Sequence, residues 1–155
     1  MKINEEIKSD FQMIASSIKN INLKNDFYML PDPERLSFIA DAEYDKIHIS
    51  KNEDGGFAGT IDLTVTATAK LKKSKDKISI KMCIMGIFVD SKAETEEAFE
   101  QFLTLNGCAT LYAIARSIII GLSSQSMSSG ELILPMVNFF KMKKVKEEKE
   151  FEKSE

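Results

Sequence analysis

Few side chains in this sequence have the chemistry of nucleophiles, general bases or metal ligands. The chain has one histidine, His48, and two cysteines, Cys83 and Cys108, which lie far apart in the sequence. Nucleophilic catalysis needs a base within hydrogen-bond reach, and zinc or iron sites need clustered ligands. His48 lies in a predicted strand with no nucleophile motif around it, so we interpret it as a partly exposed strand histidine. The sequence therefore predicts no catalytic residue, no metal site and two buried, reduced thiols.

The other polar residues do not indicate an enzyme or a nucleotide-binding protein either. The seven glycines form neither the GxGxxG nor the GxxxxGK[ST] spacing of phosphate-binding loops, so we predict no cofactor. Paired carboxylates such as Glu96-Glu97 and Glu147-Glu148 fall on polar helix faces, where solvated charges are expected. The net charge of −3 and the pI near 5.4 argue against nucleic acid as a partner, because phosphate binding depends on a basic face.

Length and composition narrow the fold and the cellular location. With 155 residues, 43% of them hydrophobic, the chain has enough apolar material for one globular domain over residues 1–155. The first residues, Met1 to Glu6, lack the apolar stretch of a signal peptide. The most apolar later stretch, Leu111 to Leu122, contains Arg116 and is short for a membrane span. We therefore expect a cytoplasmic protein without direct membrane insertion.

The hydropathy pattern predicts a helix and then a first strand. Apolar residues occur at steps of four, three and four at Ile7, Phe11, Ile14 and Ile18. This spacing predicts a helix over residues 4–17. Polar and apolar residues then alternate over residues 19–24, which predicts a first strand from there toward Tyr28. Pro31 and Pro33 would end that strand.

Three further strands follow, and together the four strands are predicted to form a meander. The first covers residues 36–50 and precedes a strong turn signal at residues 52–56. The second has the clearest alternation in the chain, with apolar residues on one face and mostly threonines on the other. The apolar face holds Ile61, Leu63, Val65, Ala67, Ala69 and Leu71, and the polar face holds Thr60, Asp62, Thr64, Thr66, Thr68 and Lys70. The third covers residues 78–88, after a solvated turn at residues 72–77.

Helical periodicity returns after the strands. It predicts a short helix around residues 99–105 and a second helix over residues 109–122 that is apolar almost all round. A serine-rich loop over residues 123–130 leads to a last helix after Pro135, and residues 141–155 form a Lys/Glu-rich end. The fold class is thus α+β, a four-stranded antiparallel sheet with helices packed on one face. Because one sheet cannot cover so apolar a helix, we expect self-association.

Apolar residues, most of them methionine or aromatic, also occur where the alternation places them near the surface. They are Phe27, Tyr28, Met29, Met127, Leu132, Ile133, Met136, Phe139 and Phe140. Such side chains adapt to varied apolar partners, but most residues of this kind pack in cores or subunit interfaces. Both interpretations remain open from the residues alone.

The order and spacing of several stretches resemble the SecB protein-export chaperone family. The stretches are Ile18-Lys19-Asn20-Ile21-Asn22-Leu23, Leu63-Thr64-Val65-Thr66-Ala67-Thr68-Ala69, Gly86-Ile87-Phe88, Leu111-Tyr112-Ala113-Ile114-Ala115-Arg116 and Leu134-Pro135-Met136-Val137-Asn138-Phe139. The resemblance implies a four-stranded antiparallel sheet with helices on one face and subunits assembled as a dimer of dimers. It also implies long apolar grooves that hold unfolded clients without ATP.

The resemblance places a client-binding groove along the crossover after the first strand, the following strand and the last helix. The positions that it nominates are Phe27, Met29, Tyr44, Ile47, Ile49, Leu132, Ile133, Met136 and Phe140. A shallow groove of this kind would hold an extended client through many weak apolar contacts, so binding would be sequence-tolerant and reversible.

The chain departs from the family at the surface that docks the export motor SecA. The family uses acidic side chains on the outer sheet face, and the matching positions here hold Asn20, Lys24 and Lys81. Replacing carboxylates by ammonium groups turns attraction for a basic partner into repulsion. SecA is thus the partner that the resemblance implies, and the charges argue against its docking.

Two functions from different classes follow. The first is an ATP-independent holdase that binds non-native polypeptides, serving export, stress protection or one dedicated client such as an antitoxin. The alternative is a carrier of a small hydrophobic ligand, or a regulatory binding module, with a closed apolar cavity. A hot-dog-type thioesterase fits poorly, because it needs a long helix wrapped by the sheet and a catalytic carboxylate.

Overall fold

The computed structural model describes residues 8–152, which form a four-stranded antiparallel sheet with helices on one face. The strands are β1 (Phe11–Asn25), β2 (Leu36–Lys51), β3 (Phe57–Leu71) and β4 (Lys77–Asp90), in the spatial order β1-β4-β3-β2. The helices are α1 (Glu96–Phe102), α2 (Cys108–Ser126) and α3 (Phe139–Glu152). A π-helical segment, Leu103–Gly107, joins α1 to α2, and a 3-10 turn, Pro33–Arg35, precedes β2. The predicted α+β fold class is confirmed, but the predicted meander of four strands is wrong, because β1 pairs with β4 and not with β2.

The inner faces of β3 and β4 form the core, as their alternation predicts. The buried apolar residues of the two strands include Ile61, Leu63, Val65, Ala67, Ala69, Ile78, Ile80, Met82, Ile84 and Phe88. Leu111, Ala115 and Ile119 of α2 are fully buried in the same cluster. These three residues are spaced four apart, which places them on one side of the helix. Leu71, predicted on the apolar face, is only half-buried at the end of β3.

The predicted helix over residues 4–17 is wrong where the structure describes it, since β1 begins at Phe11 and residues 1–7 lie outside the described range. Two bulges, after Met13 and after Ile18, shift the register of β1 against β4. Each bulge adds one residue, so apolar side chains on one strand face recur at steps of two and three. That mixed spacing resembles a helical period, which explains the wrong prediction.

The two predicted helices after the sheet form one helical run, Glu96–Ser126, because the π-helical segment continues the chain direction without a loop. Its length and its mean hydropathy of 1.4 over the most apolar window would allow this run to cross a bilayer. The apolar stretch predicted from the sequence, residues 111–122, is shorter than this run and too short to span a membrane. Its buried side is packed on the sheet, as in the core helices of globular proteins. The predicted loop over residues 123–130 accordingly begins only at Met127.

Gly86 on β4 lets α2 approach the sheet closely. A Cβ atom at this position would overlap Cε2 of Phe88 and would lie 2.9 Å from Cδ2 of Leu111. The Phe88 ring cannot move aside freely, because it is fully buried and stacks on Phe11 at 5.2 Å between ring centroids. We expect Gly86→Ala to lower the free energy of unfolding by about 2 kcal/mol, as overpacked cores do.

Urea unfolding followed by circular dichroism would measure this loss. Gly121→Ala is the matched control, because Gly121 lies within α2 and an added Cβ atom there would meet no other atom within 4 Å. Alanine is favoured over glycine inside a helix, so the control should gain up to about 1 kcal/mol. Equal stability of Gly86→Ala and the unmodified chain would contradict the close-packing interpretation.

A buried carboxylate lies on the face that the sequence assigns to threonines. Asp62 on β3 is only 2% exposed, and its Oδ2 accepts a hydrogen bond from Nζ of Lys19 at 2.6 Å. Nζ of Lys46 lies 3.8 Å from the same oxygen. Lys19 lies in a bulge of β1, and Lys46, with a φ of 50°, lies in a bulge of β2. The two edge strands thus each send a lysine across the outer face to one carboxylate, and the hydrogen bond to Asp62 raises the pKa of Lys19.

Candidate functional site

The inner face of β2 forms the floor of an open groove. β2 is an edge strand, and Phe38, Ala40, Ala42 and Tyr44 lie opposite core residues of β3. Phe38 is 43% exposed and the two alanines are half-buried, whereas Tyr44 is 6% exposed. Because alanine side chains end at Cβ, the middle of this strand leaves a trough that larger residues would fill.

The segment between α2 and α3 forms the opposite wall. The Tyr112 hydroxyl donates a hydrogen bond to the Pro135 carbonyl at 2.6 Å, and Nε of Arg116 donates to the Leu134 carbonyl at 2.8 Å. The Leu132 amide donates to Oγ of Ser123 at 2.8 Å. Between this wall and the floor lies a cavity of about 220 Å³, lined by Ala40, Asp41, Ala42, Tyr112, Pro135, Val137 and Met142. Three hydrogen bonds to α2 thus fix the width of the groove.

Helix α3 closes one end of the groove over Tyr44. Nζ of Lys146 donates a hydrogen bond to the Tyr44 carbonyl at 2.8 Å and lies 4.0 Å from the centroid of the Tyr44 ring. Phe139 packs edge-on against Tyr112, with 5.7 Å between the ring centroids. A cation above an aromatic face is attracted by the ring, so Lys146 and Phe139 both hold α3 against the groove.

The Cys108 thiol is buried at the start of α2, and burial raises its pKa from 9.0 to about 12, while Lys146 opposes the rise. The unfolded chain would lose this proton near pH 9, so the thiol favours the folded state fully below pH 9 and progressively less up to pH 12. We expect the stability advantage over Cys108→Ala to fall by about 1.4 kcal/mol per pH unit above pH 9. Urea unfolding of both chains between pH 7 and pH 11 would measure the difference, and a constant difference would refute a buried protonated thiol.

The crossover between β1 and β2 packs against the loop after α2. Nδ2 of Asn25 donates to the carbonyls of Ser126 and Phe27, at 3.0 Å and 2.9 Å. Backbone hydrogen bonds join Leu30 to Ser129 and Ser128 to Tyr28. Tyr28 and Met29 stay 81% and 56% exposed beside these contacts. The structure thus forms a second exposed apolar surface at the crossover.

The nine nominated groove residues differ widely in accessibility. Met29, Ile133, Met136 and Phe140 are between 55% and 82% exposed. Phe27, Ile47 and Ile49 are half-buried, and Tyr44 and Leu132 belong to the core. The first four can therefore touch a partner without any rearrangement, whereas the last two contribute through packing.

Ile47 and Ile49 lie apart from the crossover surface. Ile49 pairs with Gly59, where an added Cβ atom would lie 2.8 Å from the Phe99 ring, so this part of β2 packs beside α1. The crossover enters β2 at Leu36, roughly 40 Å away along an extended strand. The structure brings the crossover residues and the late loop together, but not these two isoleucines.

The groove floor is what sequence reasoning missed. Phe38, Ala40 and Ala42 alternate with other residues on β2, and Val137 and Met142 complete the opposite side. The sequence does contain a signal for this floor. Every second residue of the stretch 38–44 lies on one strand face, and these residues are Phe38, Ala40, Ala42 and Tyr44. The exposed Ile39 interrupts this pattern on the other face, so the alternation looks weak.

Asn20, Lys24 and Lys81 come together on the outer face of the sheet. Asn20 pairs with Cys83 and Lys24 with Ser79, while Lys81 pairs with Asn22 between them. All three nominated residues are exposed. Across the sheet, Asp41, Glu43 and Asp45 of β2 point to the same outer side, by their pairing with β3. The outer face therefore has lysines on β1 and β4 and carboxylates on β2.

Within residues 8–152, no group of three or more His, Cys, Asp or Glu side chains is arranged to hold a metal ion. His48 is exposed on the outer face and pairs with Thr60. Cys83 is half-buried and Cys108 is buried, both as free thiols. The prediction of two buried thiols is thus confirmed for Cys108, whereas Cys83 is only partly buried.

No known family model matches the sequence, and no curated protein matches it. A solved structure does: the Mycobacterium tuberculosis SecB-like chaperone Rv1957, in complex with a ChAD peptide from the Rv1956 HigA1 antitoxin. The TM-score is 0.58 and the sequence identity is 13%, over 82% of this chain and 90% of that chain. At this identity the likeness concerns the fold and not the family. The chain therefore has a SecB-like fold.

Proposed function

We propose that this protein is an ATP-independent chaperone that holds non-native polypeptides in the groove beside β2. The observation that supports this most is an open apolar trough, in which Ala40 and Ala42 face Pro135, Val137 and Met142, and Phe38 is 43% exposed on the same strand face. Exposed apolar surface of this kind is uncommon on a protein without an apolar partner. The solved SecB-like chaperone with the same fold holds a peptide, so a polypeptide is a natural occupant.

The alternative carrier function has less support. Sites for small ligands are clefts of about 300 to 1,000 Å³ that enclose most of the ligand surface. The cavity beside β2 is about 220 Å³, and apolar side chains next to it are open to solvent. A groove of this form suits an extended chain better than an enclosed small molecule.

The client would be one dedicated protein rather than exported proteins in general. The neighbour with this fold holds a peptide of an antitoxin, which motivates an antitoxin as the first client to test. Docking to SecA is not expected, because Lys24 and Lys81 are exposed where the family has acidic side chains. We place this activity in the cytoplasm and assign no catalytic step to it.

Self-association would cover an exposed apolar stripe on edge strand β1. Four apolar residues on the inner face of edge strand β1 are between 36% and 44% exposed: Met13, Ile18, Ile21 and Leu23. They continue the core face of β4, because they lie opposite Phe88, Ile84, Met82 and Ile80. A second copy could cover this stripe by the same hydrophobic effect that forms the core. We therefore propose a dimer, or a dimer of dimers, as the working form.

The direct experiment is suppression of aggregation by the purified full chain without ATP. Light scattering would follow a chemically denatured client, and size-exclusion chromatography with mass detection would test whether client and chaperone elute together. We expect suppression at near-stoichiometric amounts and a stable complex. If neither a generic client nor a set of antitoxins is held, the chaperone function is wrong.

A further inference from the structure

Lysines cluster near both ends of the groove floor, and the inference drawn from them deepens the chaperone function proposed above, on which it rests. The first cluster lies at the β3–β4 turn, directly after Leu71, which pairs with Leu36 at the start of the groove floor. Its members Lys72, Lys73 and Lys75 line a cavity of about 570 Å³ together with Ser37 and Lys70 of the outer sheet face. All three are exposed, and Nζ of Lys72 donates a hydrogen bond to the Glu34 carbonyl at 2.8 Å. The turn thus places lysines beside the Leu36 end of the groove floor.

The second cluster belongs to α3. The side of this helix that faces the sheet holds Phe139, Met142, Lys143 and Lys146, spaced three, one and three residues apart. Phe139 is buried and the other three are half-buried, so the inward stripe changes from apolar to cationic along the helix. Lys144 adds a charge at the rim, 4.7 Å from the ring centroid of the exposed Phe140.

Carboxylates near the clusters do not cancel this pattern within the groove. Near the turn, Asp76 accepts a hydrogen bond from Ser74, Asp32 accepts one from the Glu34 amide, and Glu34 is exposed, but residues 70–77 hold five lysines against one aspartate. Asp41, Glu43 and Asp45 lie on the outer side of β2, away from the floor, although Asp41 reaches the edge of the cavity. Glu147 and Glu148 are exposed beyond Lys146.

We propose that the groove selects a polypeptide segment with an apolar centre and acidic residues on both sides. From Leu36 to Tyr44 the floor extends about 26 Å, the length of eight or nine extended residues. Phe38, Ala40 and Ala42 contact the apolar centre, while the turn lysines and Lys143 with Lys144 attract the two acidic flanks. Complementary charge at both ends sets the position of the client and raises its rate of association.

The test uses three fluorescent peptides with one shared apolar core of nine residues, flanked on both sides by glutamates, serines or lysines. Fluorescence anisotropy with the full chain would give three dissociation constants at about 50 mM and at about 1 M salt. We expect the glutamate-flanked peptide to bind about tenfold tighter than the lysine-flanked one at low salt. The preference should nearly vanish at 1 M, where charges are screened beyond about 3 Å.

Variants that reverse the lysine charges would show which lysines cause the preference for the glutamate-flanked peptide. Lys73→Glu/Lys75→Glu alters one end and Lys143→Glu/Lys144→Glu the other. Each pair should remove about two-thirds or more of the preference while the serine-flanked peptide binds as before. Lys24→Glu/Lys81→Glu is the matched control, with the same change in net charge on the outer sheet face. The control should keep the preference.

The outcomes separate the two proposals. If none of the peptides binds although a client is held in the aggregation assay, the charge selection is wrong and the chaperone function stands; if no client is held there either, the chaperone function itself fails. If the serine-flanked peptide binds and the other two bind within twofold of each other, the charge selection is wrong and the chaperone function stands. The selection is also wrong if the outer-face control loses the preference equally, or if single-stranded DNA of equal charge displaces the acidic peptide as well as the unlabelled peptide does.

Discussion

Phe38→Asp is expected to weaken client holding at least tenfold while the chain stays folded. The ring lies on the groove floor and is 43% exposed, so a carboxylate there can remain hydrated without a client. A bound client would cover that carboxylate with apolar surface and leave it unpaired, which is costly. Central contacts of an interface contribute about 2 kcal/mol or more, so the affinity should fall at least tenfold to thirtyfold. Aggregation suppression and peptide anisotropy would both report the loss.

The neighbouring residue provides a matched control. Ile39 is 61% exposed and pairs with Thr68 on the outer face, so Ile39→Asp adds the same charge to the same strand on its other side. We expect Ile39→Asp to hold clients as the unmodified chain does. Equal loss in both variants would mean that an aspartate anywhere on β2 disturbs the protein. Full activity in Phe38→Asp would place the client elsewhere, for example on the crossover surface around Met29.

The second large effect concerns assembly. Ile18→Asp/Leu23→Asp puts two charges into the exposed apolar stripe on the inner face of β1. If a second copy covers this stripe, each carboxylate would be buried without a partner, and we expect association to weaken by a factor of 100 or more. Size-exclusion chromatography with mass detection should show a monomer at micromolar concentration. Circular dichroism would check that the strands remain.

Ser17→Asp/Asn22→Asp is the control for assembly. Both residues lie on β1, but they pair with Met85 and Lys81 on the outer face. This variant should keep the oligomer of the unmodified chain. An unchanged oligomer in Ile18→Asp/Leu23→Asp would show that the stripe is not an interface between copies. A monomer for the unmodified chain would have the same meaning.

The central part of the fold follows from the sequence because burial there depends only on period. In β3 every second residue from Ile61 to Ala69 is apolar, and the same alternation continues in β4. A one-residue shift would expose the whole apolar set, so the pattern specifies strand, face and register together. Both central strands are therefore predicted within a few residues of their observed ends.

The edge strands could not be predicted in the same way. Bulges in β1 and β2 break the period of two, so the apolar residues of β1 imitate a helix. Asp62 is another case, because its burial depends on Lys19 and Lys46, which are distant in sequence and reach it through those bulges. No local pattern contains this information.

The candidate site was predictable only in outline. Proline, methionine and aromatic residues indicated the crossover and the late loop, and Met29 and Met136 are indeed exposed there. Whether an apolar side chain lines a groove or fills the core depends on what packs above it. Tyr44 is buried because Lys146 covers it, more than 100 residues later in the chain, and Phe38 is open because nothing does among the described contacts. Spacing alone cannot distinguish these two outcomes.

The bulge of β2 affects how readily this edge could seed aggregation. β2 is an edge strand of 16 residues, and a long regular edge is a template on which unfolded chains stack into amyloid. A protein that gathers unfolded chains beside such an edge would risk seeding the fibres it prevents. The bulge at Lys46, where φ is 50° and the register shifts, interrupts this edge, and Nζ of Lys146 already donates to the Tyr44 carbonyl beside it. A chain that paired with this edge would therefore meet a break after Asp45, so the regular template is Leu36–Asp45 and not the whole strand.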